Sequence, residues 1–157
     1  MSEQPEQTGQ QHDPDKDRAA VLEAHFAYNQ ANSTADIPLL HTVWDDDPRN
    51  VFFNLSGHNY RGLAHWTKLW EYYGPRIAYD FPWITFDENV TINGDVAWVT
   101  CLRFHQFHWI GEEENPFPDS KPQLTRSTEI FVRKPDGWKV VHTHFSPGAL
   151  SPRPGNV

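Results

Sequence analysis

The chain opens polar and changes character near residue 17. Residues 1–16 are mostly Gln, Glu, Asp and Pro with almost nothing to bury, which predicts a disordered arm. From Asp17 onward, Val21, Leu22, His25, Phe26, Tyr28, Asn29 and Asn32 fall at spacings of three and four. That is the period of a helix with one broad inward face. Asp15 or Asp17 stands where a cap would start it, and Ser33-Thr34 where it would end. A shorter helix is predicted from Asp36 to about Trp44, with Pro38 in its first turn, where a missing N–H costs nothing. Val51 to Leu55 reads as a strand. A third helix is predicted over 62–73, with Leu63, Trp66, Leu69 or Trp70, and Tyr73 at helical spacing, stopped by Gly74-Pro75.

After that the pattern is one of strands. Trp83 to Ile92 leads into an Asn93-Gly94-Asp95 hairpin turn, and Val96 to Trp109 makes one long strand. An acidic, Pro-containing loop spans 111–122. Leu124 to Lys134, a Pro135-Asp136-Gly137 turn and Trp138 to Ser146 follow, and residues 148–157 form a Pro-rich tail. Helices followed by consecutive hairpins predict an α+β domain over 17–147. Its long antiparallel sheet must twist and bend, and three helices on the concave face leave a cone-shaped space.

Composition narrows the possibilities. The length of 157 residues suits one domain, and 7 Trp and 10 Phe supply a real core. A net charge of −8, with 13 basic residues and no basic run, argues against a nucleic-acid surface, which needs clustered Lys and Arg. The single cysteine, Cys101, rules out an internal disulfide framework or a CxxC motif, and reads as a small core residue. No charged-then-apolar leader is visible, and no segment approaches the roughly 20 apolar residues of a membrane span. The expectation is a cytoplasmic protein with no membrane partner.

Three stretches carry a family resemblance over about residues 17–147: Leu102-Arg103-Phe104-His105-Gln106, Ser127 with Glu129, and Asp136 to Ser146. They resemble the arginine-bearing strand, the Ser-Glu-Glu strand and the final Trp…Val-His-x-His-x-Ser strand of the calcium/calmodulin-dependent protein kinase II association (hub) domain. The order of elements, with Tyr60-Arg61-Gly62 before the third helix, is similar to the SnoaL-like group of the nuclear transport factor 2-like superfamily. The resemblance implies a cone-shaped fold. It leaves activity open, because that superfamily holds isomerases, dehydratases, cyclases and non-catalytic hubs alike. Hub domains bind small carboxylates through several pocket arginines. Here only Arg103 stands at such a position, which favours a more apolar, aromatic ligand.

If Arg103 points into the cone, as the resemblance implies, strand parity assigns the faces. Ala97, Val99, Cys101, His105 and Phe107 then share its side, with Glu129, Phe131, Val141, Thr143 and Phe145 inward on the last two strands. Val96, Trp98, Thr100, Leu102 and Phe104 face the convex side, as do Val140, His142 and His144. An apolar convex face predicts a homodimer or higher homo-oligomer through the sheet.

The chemistry expected of this pocket is acid–base. Glu129 among aromatics would act as acid or base, His105 would relay the proton, and Arg103 would hold an oxyanion. The competing expectation is a structural Arg103–Glu129 ion pair with His105 nearby. Tyr28, Tyr60, His65, Trp66, Phe107, Phe131 and Phe145 are the expected substrate contacts. His142-x-His144 has strand spacing for a metal, but the hub domain carries the same pair without one, so no metal and no cofactor are expected. The functions predicted are a cofactor-independent lyase, dehydratase or isomerase acting on an aromatic or apolar small molecule, a non-catalytic hub-like binding or oligomerisation module, or a polyketide cyclase-like enzyme.

Overall fold

The computed structural model describes residues 13–115 and 122–149. Helix α1 spans Pro14–Thr34, three residues earlier than the periodicity indicates, because Asp13 rather than Asp15 or Asp17 is its N-cap. The Asp13 carboxylate accepts from the amides of Asp15 and Lys16, and Pro14 occupies the first turn. Residues 1–12 of the expected arm and most of the tail lie outside the described residues. Helix α2 (Ile37–Val43) is capped by Asp36, whose carboxylate accepts from Leu39 N at 2.9 Å. Strands β1 (Val51–Phe53) and β2 (Asn59–Arg61) lead into α3 (Gly62–Tyr73), whose bounds match those predicted. Gly62 is required there: its φ of 64° is left-handed, and a Cβ would lie 3.0 Å from Pro48 Cα.

The remaining strands are β3 (Ile77–Tyr79), β4 (Ile84–Asn93), β5 (Val96–His105), β6 (Phe107–Trp109), β7 (Gln123–Lys134) and β8 (Gly137–Pro147). Together with β1 and β2, four of these form one six-stranded sheet in the order β2-β1-β8-β7-β5-β4. It is antiparallel except where β1 runs parallel to β8. The predicted long strand 96–109 breaks at Gln106. Its end, β6, leaves the main sheet and pairs with β3 in a second, two-stranded sheet. The sequence gives no periodic signal for β3, which is three residues long.

Helix α1 lies against β4 and β8, and the core fills the space between. Val21, Tyr28 and Ala31 come from α1, Leu40 and Val43 from α2, Trp66, Leu69 and Trp70 from α3, and Ala97, Val99, Phe131, Trp138 and Val140 from the sheet. Fully burying each large side chain contributes about 1.5–3 kcal/mol. On β5 the faces divide as parity predicts: Ala97, Val99, Cys101, Arg103 and His105 are buried, while Val96 and Trp98 are exposed. Glu129 and Phe131 are also inward, both fully buried. On β8 the parity is corrected by a bulge. Phe131 pairs with Val140 but Ile130 pairs with His142, so Val141 is the extra residue. Val140 is therefore buried and inward, and Val141 is not, whereas Thr143 and Phe145 keep the expected side.

Candidate functional site

Below α3 the cone holds a half-open cavity of about 260 Å³. Its wall is built from Trp66, Trp70, Tyr73, Tyr79, Trp83 and Phe107, with Phe145 toward the sheet. The second sheet contributes Tyr79 and Phe107, so the break at Gln106 is what roofs the pocket. Polar groups come from Arg103 and His105 on β5, from Gln123 and Thr125 on β7, and from Asn54 and Ser56 in the loop after β1. A largely apolar wall with a few convergent polar groups is the usual make-up of a small-molecule site.

Arg103 is 1% exposed. Its guanidinium carbon lies 4.7 Å from the Phe145 ring centre and 5.3 Å from those of Tyr28 and Trp83, a cation–π enclosure on three sides. Nη2 donates to Glu129 Oε1, whereas Nε and Nη1 are buried without a hydrogen-bond partner. Burial is the largest single influence and works against its charge, but Glu129 together with Tyr28 and Cys101 holds the guanidinium above its ordinary pKa. The Tyr28 hydroxyl faces Arg103 and Thr143 without a well-directed bond to either, and burial raises its pKa above the ordinary phenol value.

Glu129 does not reach the cavity. Its Oε1 also accepts from Ser127 Oγ at 3.2 Å, and its Oε2 accepts from His25 Nδ1 at 2.7 Å. Both oxygens are engaged and the side chain is fully buried, so the expected direct acid–base role has no route to a substrate. The ion-pair arrangement is the one present. It runs diagonally across the sheet, since Arg103 pairs opposite Thr125 and Glu129 opposite Val99.

His105 is the ionisable partner of Arg103 on the cavity wall. Burial, and then the charge of Arg103, push its pKa down to about 4, against a hydrogen bond with Gln123 that raises it. Near pH 7 the ring is therefore neutral, and its Nδ1 has no hydrogen-bond partner.

Of the expected substrate contacts, Trp66, Phe107 and Phe145 line the cavity. Tyr28 sits behind it, against Arg103. Tyr60 is not on the wall because it packs edge-on to the outer side of Trp66, at 5.5 Å. Phe131 is in the core, since it lies too near the closed end of the sheet. His65 is exposed, with its ring accepting from Arg61 N at 3.4 Å, so it is displaced from the pocket by its position at the helix start.

Sequence reasoning placed His25, Asn29 and Asn32 on the inner face of α1 without assigning them a task. The signal was a polar inner stripe on a buried helix, where apolar residues are the rule. Asn32 Oδ1 accepts from both Trp66 Nε1 at 3.1 Å and Trp70 Nε1 at 2.9 Å, which fixes two walls of the cavity. The donor atoms of His25, Cys101 and Glu129 lie within 4.8 Å of one another. A cation there would compete with Arg103 for Glu129, and burial raises the Cys101 thiol pKa, so these residues do not fit a metal.

With this architecture in place, comparison with known proteins decides the family. The model of the SnoaL-like domain matches residues 21–150. The chain belongs to the SnoaL-like family. Solved structures with the same nuclear transport factor 2-like fold include a protein of Streptomyces avermitilis provisionally described as a dehydratase. It is 23% identical, with a TM-score of 0.67, over 87% of this chain and 99% of that one. A Novosphingobium aromaticivorans protein provisionally described as an aromatic ring hydroxylase is 21% identical, with a TM-score of 0.69, over 90% and 94%. The CaMKII hub of S. rosetta is 25% identical, with a TM-score of 0.64, over 83% and 95%. No curated protein matches this SnoaL-like chain. Among its described residues no helix is long and apolar enough to cross a membrane.

Proposed function

We propose that this SnoaL-like protein is a cofactor-independent lyase, dehydratase or isomerase acting on an aromatic or apolar small molecule. The observation that carries the proposal is the pairing, on one cavity wall, of a neutral imidazole with a buried guanidinium that has unused donors. His105 Nδ1 takes a proton from carbon next to a substrate carbonyl, and Arg103 holds the oxygen on which negative charge develops. Returning the proton to another carbon completes an isomerisation. Expelling a leaving group from the adjacent carbon completes an elimination. The aromatic walls pack against the apolar body of the substrate. The provisional dehydratase description of the Streptomyces avermitilis structure supports this class of reaction.

A thermal-shift screen of phenolic, steroid-like and polyketide-like compounds tests the proposal, with Arg103→Met as control. At least one class should stabilise the wild type and lose most of that effect in the variant. A screen in which nothing stabilises the protein would overturn it. Assembly through the convex sheet face is a second property we propose, because Ile84, Phe86, Val96 and Trp98 expose apolar surface there.

A further inference from the structure

We infer that Glu129 is a specificity-determining residue: by neutralising Arg103 from behind, it sets the cavity to take an uncharged aromatic compound with an acceptor oxygen and to reject a carboxylate. The inference rests on the cavity being the substrate site proposed above, and names the class of molecule that site accepts.

Formal charge decides it. Glu129 meets Arg103 through Oε1, so one negative charge answers one positive charge. His25 lies on the other carboxylate oxygen, its Nδ1 2.7 Å from Oε2. Its ring is approached by Asn29 Nδ2, at 3.1 Å from Nε2 and 3.4 Å from Nδ1, and the same Nδ2 donates to His25 O at 2.9 Å. Turning the Asn29 amide over would set two oxygens against each other, so the N–H side faces the ring. The Arg103–Glu129 pair thus sums to zero. Among the described residues of the cavity wall, the other ionisable groups are His105 and the phenols of Tyr73 and Tyr79. Burial raises both phenol pKa values, so neither supplies charge near pH 7.

Unpaired donors remain on Arg103 even though its charge is answered, because Nε and Nη1 have no acceptor. A carbonyl oxygen satisfies such a donor without bringing charge. A carboxylate brings a negative charge that nothing on the wall offsets, in surroundings that solvate it poorly. The apolar rings around the guanidinium fit a flat apolar body on the ligand.

Titration of cavity tryptophan fluorescence with 2-acetylnaphthalene and with 2-naphthoate at pH 7 compares a neutral and an anionic ligand of similar shape. The ketone should bind at least about tenfold more tightly than the carboxylate. In Glu129→Gln the guanidinium loses its counter-charge, and the preference should shift toward naphthoate by about tenfold or more. Equal or tighter binding of naphthoate by the wild type would overturn the inference and leave the enzyme proposal standing. Binding of neither compound would overturn both. The wild-type comparison holds whether or not the variant folds.

Discussion

Asn32 shows how one side chain can shape a cavity it does not line. It is fully buried, accepts two indole N–H bonds from α3, and donates Nδ2 to Tyr28 O at 2.7 Å. Asn32→Leu keeps the volume roughly but leaves both indoles without an acceptor. Loss of about 2–4 kcal/mol is expected from urea unfolding, with a changed tryptophan emission in the folded state. His105 makes a different prediction. Its pKa is about 4 when folded against an ordinary 6.5, so the unfolded chain binds more protons between those values. Stability is therefore highest above pH 6.5 and falls as the pH drops toward 4, by about 3 kcal/mol in all from this group. His105→Gln should flatten that part of the profile. Unfolding curves at pH 7 and pH 5 that differ equally in wild type and variant would contradict the assignment.

At the scale of elements, α1 ends on Ala35 in the left-handed conformation, φ 50° and ψ 36°, a position that favours glycine. Ala35→Gly should stabilise the protein by about 0.5 kcal/mol, a rise of roughly 1–2 °C in Tm by calorimetry. Most elements were legible because each has its own local cause. Periodicity gave α3, and strand alternation gave β5 and β7. What was not legible depends on partners distant in sequence. The bulge at Val141 exists because β8 must match both β7 and the parallel β1, and no local pattern marks it. Strand β3 becomes a strand only because β6 leaves the main sheet to meet it. The turn at Gly94 was foreseen, although only Gly94 of the turn pair, and not Asp95, takes positive φ. The site followed the same division. Strand parity brought Arg103, His105 and Glu129 to one face, but the distance of Glu129 from the cavity was set by His25, 104 residues away.

For the whole molecule, the bent sheet has a use for each face. The concave side holds the cavity, and the convex side exposes Trp98, Val96, Phe86 and Ile84. Light scattering coupled to gel filtration should give a mass of about twice the 18.2 kDa chain or a higher multiple, and Trp98→Lys with Phe86→Glu should return it to one chain. Helix α1 joins the cavity to the stability of the core, since its buried stripe also carries His25 and Asn32. The enzyme proposal depends on proton transfer by His105 beside Arg103, which can be followed without knowing the natural substrate. Nuclear magnetic resonance of 2-acetylnaphthalene in deuterated buffer reports exchange at the methyl carbon next to the carbonyl. The wild-type protein should accelerate that exchange, and His105→Gln should reduce the acceleration by about 10²-fold or more. Exchange no faster than in buffer alone, or equally fast with His105→Gln, would contradict the account.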